Sequence, residues 1–304
     1  MEKQKIYLRD HNRVCAGLEE YFDIVPFNEA DKIVVWQDVM GEERGLVKLA
    51  HAKKKPAIQV LHGRRGYTQY KHPWRREMLT EKICVWGQTD VDNLVELGIP
   101  KEKIELTGTT VFSHLKPRKG HKGINIVFSP DHWDYDIPEN DEVVKALRKV
   151  KRTLKGSKIT TKVMEQHDIK KYDNPVFSNR NRPNHLDKCA EVLQTADILV
   201  AISEGTFELM AQILNIPVVI ANLFTPRPCG GDRRYMEFRL PFSEAVKKEP
   251  DVKKLPALIK QQLKNPNELM EQRRSAALND AGVEIKDPLQ RIVEVIQKTK
   301  YENK

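Results

Sequence analysis

Cysteine is scarce in this chain: four in 304 residues, at Cys15, Cys84, Cys189 and Cys229, with no C-x-x-C pair among them. So sparse a set argues against a zinc site and a disulfide scaffold, and suits a reducing, cytoplasmic setting. Long apolar runs are missing as well; none approaches the roughly 18 residues a membrane helix requires. Glu2 to Lys5 lead straight into an apolar strand, so no signal peptide is expected. Short-period repeats and low-complexity tracts are lacking, which excludes repeat architectures. Core-forming material is not lacking. With 39% hydrophobic and 31% charged residues the chain reads as globular and soluble, long enough for about two domains.

Any broad charge imbalance is absent too. The formal net charge is +9, from 52 Lys+Arg against 43 Asp+Glu. All of that excess falls between Arg44 and Lys82, where eleven basic residues meet only Glu77 and Glu81; elsewhere the signs balance at 41 each. An anionic partner is therefore expected to meet this stretch.

Short β-branched runs alternate with helical spacing from the start. Strands are expected at Ile6–Leu8, Ile33–Trp36, Ala57–Leu61, Ile83–Trp86 and Ile104–Thr107, with helices over Val14–Phe22, Glu43–Lys54 and Val91–Leu97. The pattern stops near Lys116–Gly120, the best linker candidate, and then restarts. Strands at Ile124–Phe128, Ile159–Val163, Ile198–Ile202 and Val218–Ala221 alternate with helices at Glu142–Leu154, up to Gln194, and at Phe207–Leu214. From Val252 the chain is mostly helical, through Leu255–Leu263, Glu268–Leu278 and Leu289–Lys298. Strands apolar on both faces and separated by helices indicate parallel sheets covered on both sides. The fold class expected is α/β: two doubly wound Rossmann-like domains facing a cleft, with a helical C-terminal tail. The first domain spans 1–116 and the second 121–285. The final helix, 286–304, is expected to pack back on the first domain.

Ligands of such sheets bind outside the carboxyl ends of the strands. One segment there is unusually informative: the apolar strand Ile198–Ile202 ends in Ser203-Glu204-Gly205-Thr206, and a helix begins at once. Its free N–H groups would make an anion site, with Gly205 letting a phosphate approach and Glu208 one turn in. Ser203 or Thr206 could equally be a plain N-cap.

This segment, with Ile216-Pro217-Val218-Val219 after it, resembles the donor-nucleotide region of GT-B glycosyltransferases. Val85-Trp86-Gly87-Gln88-Thr89-Asp90, continuing through Leu97-Gly98-Ile99-Pro100 to Thr107-Gly108, is similar to the unit closing the N-terminal domain in two branches. These are the CDP-glycerol glycerophosphotransferases and the nucleotide-sugar 2-epimerases. Ile126-Val127-Phe128-Ser129-Pro130-Asp131 and the dipeptide His62-Gly63 resemble segments of the former branch. The chain departs from the pattern in having Arg9-Asp10-His11-Asn12 in place of a glycine-rich loop. It also lacks the acidic and histidine set of a hydrolysing 2-epimerase, which argues against that activity.

The resemblance implies a glycosyltransferase of the metal-independent GT-B type, its second half holding a nucleotide-diphosphate sugar as co-substrate, with no further cofactor. Ser203, Gly205 and Thr206 would contact the donor diphosphate and Glu208 the ribose, with Ser129 also among the donor-binding residues. Arg227, Arg233 and Arg234, in the loop after the Val218 strand, would face the leaving group, unless they form a solvated basic loop. No metal is implied. Asp134-Tyr135-Asp136 has Asp-x-Asp spacing, but so charged a chain supplies it readily by chance. A general base should come from the first domain, where His62, Asp10, His11 and Asp38 follow strand ends.

Within the basic stretch, Arg64, Arg65, Arg75 and Arg76 alternate with Tyr67, Tyr70 and Trp74. Guanidinium groups for phosphates and rings for bases suit a nucleic-acid acceptor, and a hydroxylated modified base in DNA, as in phage-type DNA glycosyltransferases, is favoured. Three alternatives stay open: the aromatics simply pack the loop; an anionic membrane, where wall or capsule polymers are built by glycosyl or glycerophosphate transfer; or an inert nucleic-acid-binding protein of this fold. Nothing in the sequence fixes the oligomeric state.

Overall fold

The computed structural model describes residues 3–9, 17–36, 41–61, 78–130, 138–164, 167–178, 185–202, 205–221 and 242–302. They fall into two compact units, one built from Met1–Phe112 and Leu278–Lys304 and the other from Ser113–Arg234 and Phe238–Ala277.

The first unit is a six-stranded parallel sheet. Its strands are β1 (Lys5–Leu8), β2 (Asp23–Ile24), β3 (Lys32–Val35), β4 (Ala57–Val60), β5 (Lys82–Val85) and β6 (Ile104–Leu106), in the order β2-β1-β3-β4-β5-β6. β3 and β4 are buried at every position, as continuous apolar runs between two helical layers should be. On one face Ile33, Val35 and Ala57 meet Val47 and Ala50 of α1 (Gly41–Ala52). On the other, Ile6, Val34, Ile58 and Val60 meet Ile292, Val293 and Ile296 of the last helix, α8 (Pro288–Lys298). Those three residues, with Leu289 packed alongside, recur at helical spacing. Lys32 secures the end of α8: its Nζ donates to the Ile296 and Gln297 carbonyls at 2.6 and 2.7 Å. Burial pushes this ammonium below its ordinary value.

The helix expected over Val14–Phe22 is not what the described part forms. Residues 18–20 make a single 3-10 turn, preceded by Gly17 at φ 100°. A Cβ on Gly17 would lie 2.8 Å from Leu289 Cδ2, so the chain turns there to bring Leu18 and Phe22 into the core beneath α8. The two-residue β2 was not expected; pairing with β1 makes it a strand, not its own pattern.

The second unit is another six-stranded parallel sheet. It comprises β7 (Ile124–Ser129), β8 (Ser157–Val163), β9 (Pro175–Phe177), β10 (Ile198–Ala201), β11 (Val218–Ile220) and β12 (Lys247–Lys248), ordered β12-β11-β10-β7-β8-β9. One face packs Ile126, Phe128, Ile159, Val163, Ile198 and Val200 against α3 (Pro138–Thr153) and α6 (Leu255–Lys264). Against β8–β11 also pack α4 (His185–Gln194) and α5 (Thr206–Ile213), which touch each other. The Lys116–Gly120 stretch is no free linker. Arg118 donates to the Ala196 carbonyl at 2.7 Å and to Asp197 at 3.2 Å, and the Lys119 N–H donates to Gln194 at 2.8 Å. Farther along, Arg273 of α7 (Met270–Asn279) is buried, donating to Asn215 Oδ1 at 2.7 Å and the Pro266 carbonyl at 2.6 Å. Burial pulls its guanidinium down to about 10.

Candidate functional site

The strand order of the second unit decides where a ligand can sit. From β7 the chain first builds outward through β8 and β9, then returns to the other side of β7 with β10 and continues to β11 and β12. The direction therefore reverses between β7 and β10, and crevices of open parallel sheets form at such a point, outside the carboxyl ends. Ser129 and Ala201 are register partners at those two ends. Ser129 is buried, and the chain leaving β10 reaches Gly205 and α5 within a few residues.

Gly205 caps α5 in extended conformation, with no side-chain cap. The first-turn N–H groups of a helix have no intrahelical acceptor and carry the positive end of its dipole. Glu208 occupies the third helical position and is only 5% exposed. Its Oε2 lies 3.0 Å from where a Cβ on Gly205 would stand, so the carboxylate folds back beneath the cap. The result is a helix start with a buried carboxylate beside its cap. Ser129, Gly205, Thr206 and Glu208 thus share one end of one sheet. Ser203, Arg227, Arg233 and Arg234 lie outside the described residues.

A second layer behind α5 was not anticipated. Lys162 of β8 is 6% exposed, and its Nζ stands 4.8 Å from the centre of the Phe207 ring. Nearby, Ser178 Oγ lies 2.8 Å from His185 Nδ1 and 3.5 Å from Cys189 Sγ. Burial pushes the Cys189 thiol above its ordinary value, with Lys162 opposing the shift and Glu208 adding to it. The available signal was the strand's alternation: Ile159 and Val163 face the α3 core, which turns Lys162 to the opposite face.

In the first unit the direction reverses between β1 and β3, and Arg9 follows β1. It forms ion pairs with Glu42 and Glu43 in the first turn of α1, so this cation is already matched by the protein's own carboxylates. The base candidates His62, Asp10, His11 and Asp38 lie outside the described residues. So do the acceptor residues Arg64, Arg65, Tyr67, Tyr70, Trp74, Arg75 and Arg76 and the Asp134–Asp136 pair. Among the described residues no group of three His, Cys, Asp or Glu side chains could hold a metal, and no helix is long and apolar enough to cross a membrane.

Comparison with solved structures places this architecture. UDP-GlcNAc 2-epimerase from Neisseria meningitidis bound to UDP-GlcNAc superposes with a TM-score of 0.57 at 14% identity, covering 93% of this chain and 78% of that one. MnaA of S. aureus in a co-structure with UDP gives 0.62 at 12% identity, over 98% and 96%. The fold is GT-B. The GT-B likeness extends to the wall teichoic acid polymerase TagF with CDPG, at a TM-score of 0.59 and 15% identity over 97% and 81% of the two chains. No protein-family model matches the chain and no curated protein sequence matches it.

Proposed function

We propose that this chain is a GT-B enzyme acting on a nucleotide-diphosphate-linked substrate held at the carboxyl end of β7 and β10, and that it transfers a sugar to a hydroxyl acceptor. The observation that carries the reading is the placement of Ser129 and the start of α5 at the same end of the sheet, where the strand order reverses. Structures of this fold with UDP-GlcNAc, UDP and CDPG support the ligand class. In the reaction proposed, the acceptor oxygen bonds to the anomeric carbon as the bond from that carbon to the diphosphate breaks. The electron pair leaves with the nucleoside diphosphate, and the acceptor proton passes to a base, for which His62, Asp10 and His11 are the candidates. The amides of α5, with Arg227 and Arg233, stabilise the leaving charge without a metal. Glu208 accepts the ribose hydroxyls.

The acceptor is proposed to be polyanionic because the basic excess sits in one stretch carrying Arg64, Arg65, Arg75 and Arg76 among aromatics. A hydroxylated base in DNA and a wall or capsule polymer both meet that description. Purified protein with UDP- and CDP-linked donors should release nucleotide and add mass to hydroxymethylated DNA or to a polyol-phosphate polymer. If mass is added to the polymer alone, the DNA acceptor is wrong; if no nucleotide is released with any acceptor, transfer is wrong.

A second reading, nucleotide-sugar 2-epimerisation, is supported by the superposition on the UDP-GlcNAc 2-epimerase from Neisseria meningitidis over 93% of this chain. Interconversion of UDP-GlcNAc and its C2 epimer without acceptor would establish it in place of transfer.

A further inference from the structure

One polar side chain interrupts the apolar interior of the first sheet. Gln59 of β4 is 1% exposed, and among the described residues its Oε1 has no hydrogen-bond partner. The alternation of the strand assigns its face. Ile58 and Val60 pack toward α8, whereas Ala57 packs with Val47 and Ala50 of α1, so Gln59 faces α1. Register assigns its height: Gln59 is level with Val35, the last residue of β3, and so stands toward the carboxyl end of the sheet, after which α1 begins. Strand order reverses one strand away, between β1 and β3, and crevices of parallel sheets form at such points. A buried carboxamide oxygen without a donor is unfavourable, and leucine or methionine would fill similar space without that cost. The cation at this end is already engaged, because Arg9 is held by Glu42 and Glu43. Gln59 therefore offers a neutral hydrogen-bond acceptor beside the reversal point.

We propose that Gln59 recognises the hydroxyl-bearing group of the acceptor, its Oε1 accepting a hydrogen bond from a hydroxyl that enters at the carboxyl end of the first sheet. A carboxamide oxygen takes the proton of an O–H and offers no charge to a phosphate, so the group selected is a polyol or sugar hydroxyl. The phosphates of a polyanionic acceptor fall instead to the basic stretch. The assignment rests on the transfer reading above and names the chemistry of the acceptor's hydroxylated end.

Saturation-transfer NMR with glycerol, ribitol and glucose, together with calorimetric titration of UDP, tests it on the full chain as wild type, Gln59→Leu and Gln59→Met. The wild type should bind at least one of the three polyols. Both variants should lose that signal, keep UDP affinity within about twofold, and melt no lower than the wild type. Polyol binding unchanged in the variants, or no polyol bound by the wild type, would overturn the assignment. So would a lower melting temperature in both variants or failure of both to fold, since either would give the amide a partner inside the fold. Equal loss of polyol and UDP would leave Gln59 a packing residue. A wild type that binds polyol through Gln59 but no UDP would keep the assignment and refute the donor reading.

Discussion

Two helices of this protein begin alike and are packed differently. α2 (Gln88–Glu96) and α5 each follow a buried strand, start from a glycine cap (Gly87, Gly205) and carry a buried carboxylate at the third helical position (Asp90, Glu208). At α2 the protein seals the helix start with its own backbone. A Cβ on Gly87 would lie 2.0 Å from the Asn279 carbonyl oxygen, and Asp90 accepts from the Trp86 and Gly87 N–H groups at 3.2 and 3.4 Å. At α5 the only described atom within 4 Å of a Cβ on Gly205 is the Glu208 carboxylate itself, at 3.0 Å. One glycine is required for packing. Beside the other, no remote backbone approaches among the described residues. A glycine cap three residues before a carboxylate therefore does not by itself say whether a remote segment packs against the helix start.

Substitutions at matched positions can break or sharpen this contrast. The largest effect is expected from Gly87→Ala, since the obstructing atoms are backbone: a loss of about 3 kcal/mol or more in urea unfolding. A loss below about 0.5 kcal/mol would show that α2 is not sealed. Gly205→Ala should leave stability within about 1 kcal/mol but weaken nucleoside diphosphate about tenfold, because the added methyl presses on Glu208 and narrows the approach to the amides. Equal effects of the two alanines on stability would erase the distinction. Next come the carboxylates. Asp90→Ala strands two buried N–H groups and should cost about 1–3 kcal/mol, whereas Glu208→Gln should act on affinity for nucleotides over inorganic phosphate. A Glu208→Gln variant that binds both ligands as the wild type does would remove Glu208 from ligand recognition.

The smallest effect concerns pH in the layer behind α5. The Cys189 thiol has its folded pKa raised above the ordinary 9.0, so the native state keeps a proton that the unfolded chain has lost. Its contribution is fully present below pH 9.0 and lost as pH rises toward the folded value. Chemical unfolding of the wild type and Cys189→Ala from pH 7 to 10.5 should show the alanine variant declining less above pH 9. Parallel declines would mean that the thiol does not titrate with unfolding.

Much of the fold was legible because its signals are local. Strands such as Ile198–Ala201 and Lys32–Val35 are apolar throughout, and only strands buried on both faces read that way. Gly205 and Glu208 stood out because a glycine and a carboxylate interrupt an apolar strand–helix unit. The Val14–Phe22 helix failed because its apolar spacing also suits a turn, and Gly17 settles the matter through contact with Leu289. β2 and β12, two residues each, and β9, three, are too short for any periodicity and exist through neighbouring strands. Lys162 was hidden inside an expected strand, because alternation assigns its face only once the core side of β8 is known.

The sequence by itself determined two α/β alternations, the strand ends where chemistry could sit, and the confinement of the basic excess to Arg44–Lys82. These are properties of adjacent residues, written in periods of two and 3.6 and in turn chemistry. The tertiary structure alone decided that strand order reverses at β7 and β10, that α8 closes the first unit, and that the backbone of Asn279 seals the start of α2. Each depends on partners far apart in the chain, such as Lys32 and Ile296, separated by 264 positions. No local pattern encodes a contact over that distance; it follows from which faces remain to be buried once the elements have formed.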